Sequence, residues 1–159
     1  MTLENNLSIL RKDLEQEIKR QCERLEELIS QSHDSDLQKA MDLMDQGKYY
    51  EALKLCDELI AKDIENPQKY ILKGIVLFSL DKNKESIDAY NIAIGLDPND
   101  AEAYHNKANS LVQLGQIEEA LSECDRAIAL DSQSAIAYCN KASILADLGR
   151  REELSLIHI

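Results

Sequence analysis

Apolar residues along this chain recur on two scales. Locally they fall three or four positions apart, the spacing of one face of an α-helix. One such run is Tyr104, Ala108, Leu111 and Leu114; the next is Ile117, Ala120, Leu121, Cys124, Ala127 and Ile128. At longer range the whole pattern returns every 34 residues. Residues 33–66, 67–100 and 101–134 align without a gap, and a fourth copy runs from 135 to 153 before the pattern fails. Self-similarity at such a period marks a stacked array of supersecondary units. Each full copy holds two helical stretches, split at its fifteenth place by Gly47 or Gly115, with Asp81 standing there in the second copy. The fourth copy, with Gly149 at that place, lacks its second helix here, and its first, roughly Ala135 to Leu148, is expected to cap the third repeat. Glycine just past a helix end takes the left-handed conformation that closes the helix. The pattern therefore predicts pairs of antiparallel helices with a tight turn at each of these positions.

The residues that recur at fixed places are more specific. The eighth place holds Ala40, Gly74, Ala108 and Ala142, and the eleventh holds Leu43, Leu77, Leu111 and Leu145. The twentieth holds Ala52, Ser86 and Ala120, and the twenty-seventh Leu59, Ala93 and Ala127. Tyrosine stands at the fourth place in Tyr70, Tyr104 and Tyr138, and the handover turn reads Leu96-Asp97-Pro98-Asn99 or Leu130-Asp131-Ser132-Gln133. This set resembles the tetratricopeptide repeat family over about three quarters of the chain. The resemblance implies an all-α fold, a right-handed superhelical solenoid of antiparallel helix pairs. The first copy departs most, with Asp36 in place of the aromatic and Ile64 in place of proline, yet Ala40, Leu43, Gly47, Ala52 and Leu59 all fall in register.

The resemblance also implies where to look for function. Stacked repeats curve and create an extended concave surface, lined in this family by the first helix of each pair. Its places here hold Leu37, Met41 and Met44; then Ile71, Leu72, Ile75 and Phe78; then His105, Asn106, Asn109, Val112 and Gln113; then Cys139, Asn140, Ser143 and Asp147. The expected groove is apolar in its N-terminal half and amide-rich in its C-terminal half. The apolar residues would either bind a peptide or be covered by neighbouring helices. A subclass of the family clamps the C-terminal carboxylates of chaperones with lysine and arginine. The corresponding places here hold Leu37, Met41, Leu72, Glu102 and Asn106, or, one repeat later, Ile71, Ile75, Asn106, Ile136 and Asn140. Without those cations a carboxylate clamp is not expected. Asn106 and Asn140 match the asparagine ladder of the superhelices on O-linked N-acetylglucosamine transferases.

Residues 1–32 lie outside the repeats. Leu3, Leu7, Leu10, Leu14, Ile18, Cys22, Leu25, Leu28 and Ile29 step by three or four, with charges between them, so one long amphipathic helix is predicted. Successive steps of four between Leu10 and Cys22 break the heptad expected of a coiled coil. The stripe has three possible fates: packing on the first repeat as a cap, lying in the groove, or making a homodimer through residues 3–29. At the other end, Leu154 stands where a small residue belongs. The hexapeptide from there to Ile159 resembles the translation of a transposase adapter used in sequencing libraries. Residues 154–159 are thus expected to be a non-native tail, with the natural repeat continuing past Glu153.

Composition narrows the partners. The net charge is −12, so binding of nucleic acid, which rests on lysine and arginine meeting phosphate, is not expected, and nor is an anionic membrane surface. The four cysteines, Cys22, Cys56, Cys124 and Cys139, form no CxxC pair. Cys56 and Cys124 share the twenty-fourth place, where small buried hydrophobes are expected, in a reducing, cytoplasmic setting. Candidate chemistry is sparse. His33, His105 and His158 carry no catalytic spacing, and no phosphate loop or HExxH is present. Glu118 and Glu119 sit at a predicted helix start, where acids favour the dipole, and Asp97, Asn99 and Asp100 belong to a handover turn. No catalytic residue, metal site or cofactor is expected. The sequence points to a non-enzymatic protein-interaction module, a scaffold or adaptor with a protein or peptide ligand. Two alternatives stay open: a regulatory or targeting segment of a larger enzyme or signalling protein, and a self-assembly module.

Overall fold

A computed structural model describes the backbone of residues 3–157 and the side chains of residues 8–28, 31 and 35–149. Among these residues there are seven α-helices: α1 (Leu3–Asp45), α2 (Tyr49–Lys62), α3 (Pro67–Ser79), α4 (Asn83–Leu96), α5 (Ala101–Gln113), α6 (Ile117–Leu130) and α7 (Ala135–Ile157). The chain divides into two units, Met1–Lys39 and Ala40–Ile159. The fold is the expected all-α solenoid with a long N-terminal helix. The boundary expected at residue 32 is not a helix boundary, because α1 runs through it. No glycine or proline lies between Met1 and Gln46 to stop it.

In the second unit each repeat is cut from the chain by the same local chemistry. Asn66 and Asp100 cap α3 and α5, their side-chain oxygens accepting from the amides of Gln68 and Glu102 at 3.0 Å each. Such caps satisfy amides that the first turn leaves unpaired. Asp97 and Asp131 fold the handover turns by accepting from the amides two residues on. Tyr70 and Tyr104 fasten the turns before α3 and α5 to those helices, each hydroxyl donating to a turn carbonyl, of Ile64 at 3.0 Å and of Pro98 at 2.9 Å. At Tyr70 and Tyr104 the fourth-place tyrosine therefore ties a repeat to the one before it, whereas Tyr138 is exposed. The acids at residues 97 and 100 are consumed by turns, as a handover segment requires.

The helices of a pair close on small residues. Ala40, Ala52, Ala108, Ala120, Cys124 and Ala127 have at most 1% of their surface exposed. One core is built from Ala108, Leu111, Ile117, Ala120, Cys124 and Ile144, and a second from Ile71, Tyr90, Ala93 and Ala103. Burial pushes the Cys56 thiol up to about 11 and raises that of Cys124, so both act as small hydrophobes, while Cys22 and Cys139 are exposed.

The fifteenth-place turns correct one expectation. After α5, Gly115 (φ 77°) ends the helix. Its amide donates to the Val112 carbonyl at 2.9 Å, and the Gln116 amide reaches back to the Leu111 carbonyl at 2.9 Å. Gly47 (φ 74°) and Asp81 (φ 61°) close the preceding pairs in the same way. Asp81 tolerates the left-handed backbone with the Asn83 side-chain Nδ2 donating to its Oδ1 at 3.0 Å. Gly149 does not turn at all, because α7 passes through it to Ile157. A glycine permits the turn, but packing of a second helix is what draws the chain back. With α7 running straight on, Leu145 is 47% exposed, whereas its equivalents Leu77 and Leu111 are buried.

These two glycines should respond oppositely to alanine. No atom lies within 4 Å of a Cβ added at either, so the backbone alone decides. Gly115→Ala forces a left-handed alanine and is expected to lose about 1–2 kcal/mol. Gly149→Ala sits in a helix interior and should gain up to about 1 kcal/mol. Urea unfolding midpoints check both, and a loss at both positions would mean that residue 149 turns in solution.

Candidate protein-interaction face

Within the Ala40–Ile159 unit, the first helices of successive repeats touch: α3 packs on α5, and α5 on α7. The second helices α4 and α6 meet only their neighbours in the chain among the described residues. The first helices are therefore the more crowded layer of the stack, and their free faces are where the groove residues are expected. The residues expected there separate into distinct environments.

On α5, His105, Asn106 and Asn109 are half-buried and Gln113 is exposed. Asn140 on α7 is half-buried and Ser143 exposed. The Asn140 amide nitrogen is shut off from solvent and has no hydrogen-bond partner. A buried donor left unpaired is uncommon and destabilising. Burial lowers His105 below its ordinary 6.5, against the opposing pull of Glu102, so the neutral ring, with one donor and one acceptor, is the form presented near neutral pH.

The apolar half differs from the expectation. Ile71 is only 2% exposed and packs with Tyr90, Ala93 and Ala103, so it belongs to the core and not to an open groove. Leu72 is buried as well, and Ile75 packs against the same core. The reason is the close stacking of α3 on α5, which carries Ala103 against the fifth place of the preceding repeat. Phe78 remains half-buried on α3. At the end of α1, Met44 is half-buried and Met41 is 49% exposed. Leu37, half-buried, belongs to the Met1–Lys39 unit.

Sequence reasoning missed three repeating positions that shape this layer. The third place, Lys69, Ala103 and Ala137, is buried in every repeat after the first. Lys69 survives there because its ammonium donates to the Leu59 carbonyl at 2.9 Å and lies 3.6 Å from Asp63. It thereby neutralises the C-terminal end of α2, where cations are favoured. The tenth place, Val76, Ser110 and Ile144, is buried too, and the Ser110 hydroxyl bonds that of Ser86 between repeats. The seventh place is lysine in all four copies, Lys39, Lys73, Lys107 and Lys141. Comparing the copies residue by residue shows that lysine directly. Among the described residues no three His, Cys, Asp or Glu side chains gather to hold a metal. No helix among them is long and apolar enough to cross a membrane.

Comparison with known proteins bears on the same architecture. The sequence profile described as TPR repeat matches residues 74–114 and 108–149. The first TPR domain of Spaghetti (RPAP3), bound to the HSP90 peptide SRMEEVD, superposes with a TM-score of 0.69 at 24% identity, covering 75% of this chain and 94% of that one. The Sgt2 TPR domain from Aspergillus fumigatus gives 0.71 at 11% identity over 77% and 82% of the two chains. The Yersinia enterocolitica type III secretion chaperone SycD, in complex with a peptide of the translocator YopD, gives 0.65 at 18% identity over 72% and 92%. No curated protein sequence matches this chain. At these identities the likeness is one of fold. Profile, repeat length and stacked helix pairs agree, and residues 74–149 of the chain carry the tetratricopeptide repeat.

Proposed function

We propose that this chain is a non-enzymatic protein-interaction module, a scaffold or adaptor, that holds a peptide segment against the inner faces of α5 and α7. The observation that carries the reading is the half-buried amide side chain of Asn140 in the layer of first helices. It lies on the helix next to the one that carries Asn106, Asn109 and the neutral His105. Asparagine side chains both donate and accept, and so match the alternating groups of a peptide backbone whatever its sequence. The peptide complexes of the Spaghetti and SycD domains support such a use of the same fold.

The ligand differs in charge from a chaperone tail. Glu102 and Asn106 stand where the clamp would place cations, and the chain carries 30 acidic against 18 basic residues. An acidic tail meets no counter-charge here, so the reading is of a neutral or basic segment held by its backbone. The test is a peptide array probed with the full chain, followed by titration of the best binder. Its affinity should fall roughly tenfold or more in the Asn106→Ala, Asn140→Ala double variant, from two lost hydrogen bonds at about 0.5–1.5 kcal/mol each. Thermal unfolding should stay cooperative, and the SRMEEVD peptide should not bind. Tight binding of SRMEEVD, or undiminished capture by a folded double variant, would refute the reading.

A further inference from the structure

The apolar stripe of α1 has an order that the heptad hides. Leu3, Leu14 and Leu25 are eleven residues apart, and so are Leu7, Ile18 and Ile29. An eleven-residue period corresponds to about 3.67 residues per turn, and keeps a stripe on one face of a nearly straight helix. The consecutive steps of four between Leu10 and Cys22 are thus part of a regular pattern and not a defect in one. Met1–Lys39 forms a unit of a single helix, with no second element inside it to cover the stripe. Leu10, Leu14, Ile18, Leu25 and Leu28 are all more than half exposed.

The charges beside the stripe say what covers it. Along one flank run Asp13, Glu17, Arg20 and Arg24, two acids followed by two bases. This order is self-complementary when reversed. An antiparallel second copy, with its two-fold axis between residues 18 and 19, sets Asp13 opposite Arg24 and Glu17 opposite Arg20. On the other flank it sets Arg11 opposite Glu26. Each pair occurs twice by symmetry, giving six pairs of opposite sign with no like charges opposed. The stripe meets itself about that axis, with the two Ile18 side chains on either side of it and Leu10 of one copy beside Leu28 of the other towards the ends. A parallel copy in register would instead set the Asp13-to-Arg24 flank against the opposite one, and its acid-acid-base-base order would not meet itself. The ion pairs these residues make along their own helix, Arg11–Glu15 at 3.0 Å and Arg20–Glu17 at 3.6 Å, are exposed, and such pairs contribute little. They leave the side chains free to exchange partners.

We infer that residues 3–29 of two copies of this chain pair as antiparallel helices, joined by the eleven-residue apolar stripe and registered by the Asp13–Arg24, Glu17–Arg20 and Arg11–Glu26 pairs. The inference stands on α1 alone and does not rest on the peptide-binding reading. A charge swap tests it on the full chain. Light scattering behind size exclusion should give a dimer for the native protein. It should give a monomer for Asp13→Arg with Glu17→Arg, which opposes four arginines of one copy to four of the other along that flank, and again for Arg20→Glu with Arg24→Asp, which opposes acids. Mixing the two variants should restore a one-to-one pair, while circular dichroism reports unchanged helix content in each. Orientation is read by disulfide formation in a Cys139→Ser background. Glu15→Cys lies opposite Cys22 of the second copy and should cross-link under mild oxidation, whereas Cys22 alone should not. A native monomer at every concentration, variants that stay dimeric, a mixture that fails to pair, or efficient cross-linking through Cys22 alone would each overturn it.

Discussion

Gly74→Ala should destabilise the array by about 1–3 kcal/mol, although the same change in most helix interiors adds up to about 1 kcal/mol. Gly74 lies within α3, facing the ring of Tyr90 on α4. A Cβ there would run into the Tyr90 Cε1 atom and stand 2.7 Å from Cζ and 2.8 Å from Cδ1. The ring has no room to withdraw. It is 1% exposed and enclosed by Ile71, Ala93 and Ala103, and close-packed interiors transmit such strain instead of absorbing it.

The other repeats show the reciprocal solution. Where the twenty-fourth place is Cys56 or Cys124, the eighth is Ala40 or Ala108; where the twenty-fourth is Tyr90, the eighth is glycine. The sign of the Gly74→Ala effect should therefore depend on residue 90. In a Tyr90→Cys background, itself weakened by about 3–5 kcal/mol through the lost ring, adding Gly74→Ala should be neutral or favourable. Urea unfolding of the four proteins in this cycle gives the coupling directly. Equal losses in both backgrounds would show that the ring contact is not the cause.

How far the sequence could be read follows from what repeats. The 34-residue period, the small eighth and twentieth places and the fourth-place tyrosines recur because every helix pair must solve the same close approach. They located the pairs and the handover turns, which the structure shows from α2 to α6. What it could not give were features set by neighbours absent from the pattern. Gly149 has the right residue for a turn, yet α7 continues, because a turn also needs a helix to fold back. Ile71 occupies a groove place by count, but the Ala103 side of α5 covers it. Gly74 satisfies the small eighth place, so the pattern alone does not show why it is glycine and not alanine; the cause, Tyr90, lies sixteen residues on at the twenty-fourth place. Of the candidate site, Asn106, Asn109 and Asn140 lie half-buried on adjacent first helices, while the apolar half divides between core and surface.

Lys107→Met should be the most damaging of the seventh-place lysine substitutions, at about 3–5 kcal/mol. Lys73 and Lys141 both reach back to the repeat before, meeting Asp57 and Asp125 at the twenty-fifth place, each at 2.7 Å and open to solvent. Lys107 finds Asn91 at that place and turns to Glu123 of its own helix pair at 3.0 Å, with the two side chains only 13% and 7% exposed. Glu123 has a second carboxylate oxygen with no partner, so its charge depends on this one lysine. Removing an ammonium from an exposed pair costs about 0–1 kcal/mol, and Lys73→Met should fall there. Removing it from the buried pair strands a carboxylate in the α5/α6 contact. The penalty belongs to the stranded charge and not to a strong bond. Lys107→Met with Glu123→Leu should accordingly recover most of the loss, since an apolar pair of similar size often replaces a buried ion pair without harm. Urea midpoints of the three variants decide the matter: a Lys107→Met loss no larger than that of Lys73→Met, or a double variant no more stable than Lys107→Met alone, would show that Glu123 is not held by Lys107.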